Sequence, residues 1–373
     1  MSNHIVIDAR IRRSSTGRYV DRLVEHLQAI DHENRYTVLA QPDDPWQPVA
    51  KNFAREDCGF AQFSFNPMDQ IKFPRQLRKL QPDLIHFPMN QQPVFYAGKV
   101  VTSTLDLTML SFTRAGKTPL PIFWLKMLGY RFLFARSNKK SKAVITISNY
   151  VKDALAKKYP FTIGKTFTTY CASEPPLLVK AVEPAIAQNS LLKTQGFLLY
   201  VGAAFPHKNL ETLIKAFEIA NAAHPELNLI LVGKREYYYE KLEQFAEDSP
   251  ARASIIFTGF IPDEELKWLY ENAEMYVFPS LSEGFGLPGL EAMVHGCPVI
   301  SSNATCLPEV YEDAALYFDP HNTEDMAEKI QIVLSDKNIR QNLIEAGHIQ
   351  AAKFSWRRMA EQTLEIYQKV LAD

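Results

Sequence analysis

The chain contains no apolar run approaching the roughly 18 to 20 residues that a membrane-crossing helix needs. Its most apolar stretch, Leu120 to Phe134, is broken by Pro121, Lys126, Gly129 and Arg131. The first strand pattern, His4-Ile5-Val6-Ile7-Asp8, is not preceded by the basic segment and long apolar core of a signal peptide. Cysteine is scarce. Cys58, Cys171, Cys297 and Cys306 form no C-x-x-C pair and have no His at ligand spacing, so neither a disulfide framework nor a zinc site follows. The nine His give no H-E-x-x-H pattern. These absences lead to the expectation of a cytoplasmic protein with reduced thiols, no structural metal and no cofactor. An excess of positive charge is also lacking: 41 basic residues against 42 acidic leave a net charge of -1, which offers nucleic acid no general attraction. With 46% hydrophobic and 22% charged residues, a disordered or collagen-like chain is excluded.

What the 373 residues do contain is an alternation of short apolar runs and longer helical patterns, in two cycles. The first cycle has strand candidates at Ile5 to Asp8, Tyr36 to Ala40, Asp83 to Phe87, Val100 to Thr104 and Ala143 to Ile147. Val20, Leu23, Val24 and Leu27 recur at helical spacing between the first two. The second cycle restarts at Phe197 to Gly202 and continues through Leu229 to Gly233, Ile255 to Gly259, Met275 to Pro279 and Pro298 to Ser302. Such alternation predicts an α/β fold of two doubly wound, Rossmann-like domains, each a parallel sheet covered on both faces. Residues 1–185 and 186–354 form the two domains, with Lys180 to Gln195 as the linker. The pattern Met359, Leu364, Ile366, Tyr367 and Val370 predicts an amphipathic helix over 355–373 that folds back on the first domain. Ligands of such sheets gather at the carboxyl ends of the strands, and the pair would place its main cleft between the domains.

The near-zero net charge hides an asymmetry. Residues 1–180 carry 26 basic and 14 acidic side chains, a net +12, whereas the remainder carries 15 and 28, a net -13. A basic half joined to an acidic half points to an anionic partner for the first, such as an anionic membrane surface. Within that half, Phe123 to Phe134 admits two readings. It is either an interfacial helix followed by the basic residues Arg136, Lys139, Lys140 and Lys142, or a buried helix covering the sheet. A doubly wound sheet needs such covers, which favours the second.

The richest stretch for chemistry is Phe278-Pro279-Ser280-Leu281-Ser282-Glu283-Gly284-Phe285-Gly286-Leu287-Pro288-Gly289-Leu290-Glu291. Pro288 suits the start of a helix, and Glu291 would then lie in its opening turn. Gly284 and Gly286 would allow close backbone approach, and the free amides of a helix start suit an anion. Carboxylates accept but do not donate hydrogen bonds, so Glu283 and Glu291 call for hydroxyl groups. A nucleotide-sugar offers all of these: a diphosphate, a ribose diol and sugar hydroxyls.

Glu283 and Glu291 in this Gly-Phe-Gly-Leu-Pro context resemble the E-x7-E motif of the retaining family 4 glycosyltransferases of the GT-B fold. The likeness extends over most of the chain. Ser14-Ser15-Thr16-Gly17-Arg18 resembles the family's N-terminal glycine loop, and Val201 to Leu210 its segment with a phosphate-binding lysine. Phe257-Thr258-Gly259-Phe260-Ile261-Pro262 resembles the turn that reads the nucleobase, and Leu307-Pro308-Glu309 and Phe318-Asp319-Pro320 match the run that follows the motif.

The resemblance implies a donor site of Gly17, His207, Lys208, Ile261, Glu283, Gly284, Phe285, Gly286, Leu287 and Glu291, with Glu283, Lys208 and Asp106 as catalytic candidates. It implies that Glu291 holds the ribose, Glu283 orients the donor sugar and Lys208 neutralises the leaving diphosphate, with no metal required. Mannosyltransferases of surface-polysaccharide assembly carry the most similar pattern. The implied partners are a nucleotide-sugar donor and a glycan or lipid-linked acceptor, with a location in the cytoplasm or peripheral on the inner membrane face.

The pattern also departs from the family. Leu105 stands where relatives carry a His, and Ala203 and His207 stand where many have an Arg. Arg235 is a further candidate for the second positive charge. Two alternatives therefore stay open: a glycosyltransferase-like binding subunit with impaired catalysis, and a nucleotide-sugar epimerase, whose catalytic acids are not matched.

Overall fold

The structure, a computed structural model, describes residues 2–12, 14, 16–61, 68–90, 92–111, 118–174, 179–184 and 196–373. The chain divides into two compact units, Met1–Cys171 with Ser355–Asp373, and Ala172–Phe354. The linker expected over Lys180 to Gln195 falls outside the described residues from 185 onward, as does Ser15 of the glycine loop.

In the first unit seven strands form one parallel sheet. These are β1 (His4–Asp8), β2 (Arg35–Ala40), β3 (Phe53–Asp57), β4 (Leu84–Phe87), β5 (Val100–Thr104), β6 (Ala143–Thr146) and β7 (Thr166–Thr168), in the order β3-β2-β1-β4-β5-β6-β7. The register of β1 sets Ile7 beside Val38 of β2 and His86 of β4. All five residues of β1, β5 and the apolar run of β2 are buried, because helices cover both faces. The helices of this unit are α1 (Gly17–Ile30), α2 (Asp69–Lys79), α3 (Thr108–Ser111), α4 (Leu120–Lys140) and α5 (Asn149–Lys158). The expected stripe Val20, Leu23, Val24 and Leu27 is the buried face of α1.

The second unit repeats the plan with six parallel strands, β8 (Phe197–Val201), β9 (Asn228–Val232), β10 (Ile255–Gly259), β11 (Met275–Phe278), β12 (Val299–Ser302) and β13 (Ala315–Phe318). Their order is β10-β9-β8-β11-β12-β13. Its helices are α6 (Leu210–Ala223), α7 (Tyr237–Ala246), α8 (Asp263–Asn272), α9 (Leu287–Val294), α10 (Leu307–Tyr311), α11 (Thr323–Ser335) and α12 (Lys337–Ala352).

The last helix, α13 (Trp356–Ala372), belongs to the first unit and packs on α1. Ser355 caps its start by accepting from the Arg358 amide, and Lys99 Nζ donates to the Val370 and Leu371 carbonyls at its end. Its buried stripe is Trp356, Met359, Ala360, Thr363, Ile366, Tyr367 and Val370. Beneath it runs a buried polar chain. Tyr19 Oη lies 2.9 Å from Ser103 Oγ, which lies 2.8 Å from His86 Nε2, and His86 Nδ1 lies 2.6 Å from Tyr367 Oη. Complete burial pushes the His86 pKa down to about 3, so the ring stays neutral, with both nitrogens partnered.

Helix α4 corrects the sequence reading. It does not bury its apolar run as a cover for the sheet: only Met127, Phe134, Ser137 and Asn138 are buried. Leu120, Ile122, Trp124, Leu125, Leu128 and Phe132 are exposed. Among the described residues no helix is long and apolar enough to cross a membrane.

Candidate active site

In the second sheet the chain proceeds outward from β8 through β9 to β10, then returns to the far side of β8 for β11. The loops leaving β8 and β11 therefore part company above the sheet, at the point where doubly wound folds hold their ligands. Lys208 comes from the first loop, in a 3-10 turn, Pro206–Lys208, ahead of α6. Glu283 comes from the second, ahead of α9. The two side chains meet across 75 positions of sequence: Lys208 Nζ lies 2.5 Å from Glu283 Oε1, with 16% and 13% of the side chains exposed. The ammonium also lies 5.7 Å from the centre of the Phe278 ring.

Backbone contacts hold the pair in place. The Leu281 amide donates to the His207 carbonyl at 2.7 Å, and the Glu283 amide donates to Thr305 Oγ1 at 3.1 Å. Asn209 adopts the left-handed conformation, with φ +61°, and its Nδ2 donates to the carbonyls of Pro279 at 3.1 Å and Pro320 at 2.8 Å. It thus ties the loop after β8 to the loops after β11 and β13. The sequence reading assigned Asn209 no role. Its only local signal is the preference of Asn for left-handed backbone and helix starts.

Gly286 and Gly289 make room for Tyr311. Gly286 has φ +105°, and Tyr311 Oη donates to its carbonyl at 2.6 Å. A Cβ on Gly286 would lie 2.5 Å from Tyr311 Oη, and one on Gly289 2.3 Å from the same atom. Tyr311 stands 25 residues beyond Gly286, and nothing near the motif announced it. Gly284, Phe285 and Gly286 are buried and Leu287 half-buried. Helix α9 begins at Leu287 with Pro288 in its first turn, so Glu291 is its fifth residue. It lies just past the opening turn rather than within it.

The two candidates for a second positive charge, His207 and Arg235, stand in different surroundings. Burial, reinforced by the charge of Lys208, pushes the His207 pKa down to about 4, so its ring is neutral at pH 7. It stacks on Phe205, ring centres 5.9 Å apart. Arg235 pairs with Glu243 of α7 at 2.6 Å.

Of the remaining candidates, Ile261 is buried in the turn after β10, next to Gly259, whose φ is +70°. Gly17 and Asp106 belong to the first unit. Gly17 opens α1, and a Cβ there would lie 2.4 Å from the Arg12 carbonyl oxygen; its amide donates to the Ser14 carbonyl at 2.9 Å. Asp106 is exposed after β5, and its Oδ1 accepts from the Thr108 amide at 2.8 Å, capping α3. Leu105 beside it is half-buried.

Both halves of the chain match models of glycosyltransferases: residues 16–172 that of Glycosyltransferase Family 4, and residues 182–350 that of Glycosyl transferases group 1. The chain belongs to the family 4 glycosyltransferases.

The chain is 33% identical over 230 residues to O-antigen chain mannosyltransferase B of Escherichia coli, covering 61% of this chain and 60% of the relative. It is 32% identical over 221 residues to O-antigen chain mannosyltransferase RfbU of Salmonella typhimurium, covering 59% and 57%. The matches thus span less than two thirds of either relative. The sucrose-phosphate synthase of Thermosynechococcus elongatus superposes with a TM-score of 0.77 at 21% identity, covering 99% of both chains, which establishes the shared GT-B fold.

Proposed function

We propose that this glycosyltransferase moves a sugar, with mannose the first choice, from a nucleotide diphosphate to a glycan or lipid-linked acceptor, with retention at the anomeric carbon. The observation that carries this reading is the Lys208–Glu283 pair at the parting of the β8 and β11 loops. In the resting protein each charge answers the other. A ligand that takes their place must bring an anion to the lysine and hydroxyl donors to the carboxylate, and a sugar diphosphate brings both. The relatives named as mannosyltransferases support the choice of sugar.

In this reading the bond between the anomeric carbon and the phosphate oxygen breaks as negative charge gathers on the diphosphate. Lys208 stabilises that charge, an interaction stronger in the transition state than in the ground state. The acceptor oxygen bonds to the same face of the anomeric carbon, and its proton passes to the departing phosphate oxygen. Glu283 holds sugar hydroxyls, and Glu291 holds the ribose diol. Because Lys208 supplies the positive charge, turnover survives a chelator such as EDTA; loss of rate that magnesium or manganese restores would assign the charge to a metal instead.

The test is release of nucleoside diphosphate from a panel of guanosine and uridine diphosphate sugars, with a lipid extract supplied as acceptor. The expected result is turnover with one donor, abolished in Glu291→Ala. A second reading, a binding subunit without catalysis, draws on Leu105 at the end of β5. Donor binding without any turnover would establish that reading and overturn the first.

A further inference from the structure

Helix α4 carries apolar residues around much of its circumference, and what distinguishes its two sides is the contacts they make. Its face toward the sheet is built largely on polar contacts: Thr104 Oγ1 donates to Asn138 Oδ1 at 2.9 Å, and Thr102 Oγ1 lies 2.6 Å from Ser141 Oγ just past its end. Asn90 Nδ2 adds a bond to Thr104 Oγ1 at 2.9 Å. Lys165 Nζ donates at 2.8 Å to the carbonyls of Asn138, Lys139 and Ser141, closing the helix end. Met127 and Phe134 complete this underside. The orientation of the helix is therefore set, and it turns the opposite face outward.

That outer face carries Leu125, Leu128 and Phe132, which are 72%, 67% and 60% exposed and recur at helical spacing. Trp124, 52% exposed, flanks them. One and two turns further along the same face come Arg136 and Lys139, both exposed. A folded protein does not ordinarily leave an ordered apolar stripe in water while hydrogen-bonding the other side of the same helix.

The surrounding charge identifies the occupant. Between Asp106 and Asp153 the chain has nine basic residues and no acidic one, and five of the nine lie on α4 itself. A second copy of the chain would set like charge against like charge across such a contact. An anionic bilayer surface accepts both halves of the face, acyl boundary for the leucines and headgroups for the arginine and lysines. Trp124 is the residue type that settles at that boundary.

We propose that α4 lies in the plane of an anionic lipid surface, with Leu125, Leu128 and Phe132 inserted and Lys126, Arg131, Arg136 and Lys139 around them at the headgroups. This surface lies wholly within the first unit and stands independently of the donor chemistry.

The test is flotation of the full-length protein with vesicles of phosphatidylcholine alone or with phosphatidylglycerol added. The wild type floats with the anionic vesicles, less at high salt. Leu125→Glu/Leu128→Glu, placed where the side chains already face water, binds at least about tenfold more weakly, since each leucine forfeits its transfer from water. Lys126→Gln/Lys139→Gln weakens binding only to the anionic vesicles. Tryptophan emission shifts to shorter wavelength on binding, and Trp124→Phe removes the shift. Failure of the wild type to float, or unchanged flotation of the leucine variant, overturns the proposal. So does concentration-dependent dimerisation that the leucine variant abolishes in the absence of lipid, which would give the face to a second copy. Glu291→Ala, which tests the donor reading, leaves flotation unchanged.

Discussion

In the proposed reaction Lys208 and Glu283 carry the chemistry, and their 2.5 Å contact is between two loops that share no local sequence. Removing the ammonium forfeits a charge-assisted contact of roughly 1.5 to 3 kcal/mol, so Lys208→Ala is expected to lower donor turnover about 10- to 100-fold. Steady-state rates with the competent donor check this, with Lys208→Arg retaining more activity; an unchanged rate in Lys208→Ala would take the lysine out of the reaction. Gly286 presents a different case, because its constraint is steric. With φ +105° and Tyr311 Oη 2.5 Å from the place of a Cβ, Gly286→Ala combines backbone strain with a collision. A loss of about 1 to 3 kcal/mol is expected from the backbone alone. Denaturant midpoints measure it, and Gly59→Ala, where a Cβ would meet nothing within 4 Å, is the control. The motif glycines were legible as necessary but not as necessary for Tyr311, since the ring arrives from α10 and leaves no trace in the motif.

At the scale of elements, every interior strand of both sheets follows an apolar run visible in the sequence. The strands that escaped, β3, β7 and β13, are all edge strands. β3 reads Phe-Ala-Arg-Glu-Asp and is mostly solvent-facing, and β7 has three residues. An edge has one neighbour and a wet flank, so the hydrophobic signal that marks a buried parallel strand fades in β3 and β7; β13, Ala-Leu-Tyr-Phe, is an apolar run that the strand reading did not include. Helix α13 was legible as amphipathic, and its attachment depends on Tyr367. Tyr367→Phe leaves His86 Nδ1 buried without its partner and is expected to destabilise the protein by about 1 to 3 kcal/mol. Thermal or urea unfolding followed by circular dichroism reads this loss; no change would mean that packing alone holds α13 in place.

For the whole molecule, two histidines, His86 buried and His207 half-buried, make stability depend on acidity. His86 and His207 have pKa values depressed to about 3 and about 4, against an ordinary value of 6.5. Between the depressed and ordinary values the unfolded chain binds protons that the folded chain refuses. Stability is therefore full above pH 6.5 and falls as pH drops from there toward 4 and 3. Urea unfolding at pH 7, 5.5 and 4.5 is expected to show this decline, with a flatter profile in His86→Gln; a pH-independent midpoint across that range would contradict the lowered pKa values of the two rings. The charge asymmetry between the two halves, +12 and -13, is a property of the same scale and agrees with an anionic partner for the first unit.

Strand and helix periods, and the Gly- and Glu-bearing stretch from Glu283 to Glu291, were determined by the sequence alone, because each is set by neighbours within a few residues. Only the tertiary structure decided which loops meet. Lys208 reaches Glu283 because the order β10-β9-β8-β11-β12-β13 places their loops side by side, and strand order is a matter of long-range pairing. The outward turn of the α4 leucines was settled in the same way. Apolar residues occupy much of the circumference of that helix, so its period could not say which side faces water. The hydrogen bonds of Asn138 to β5 and of Lys165 to the helix end chose for it.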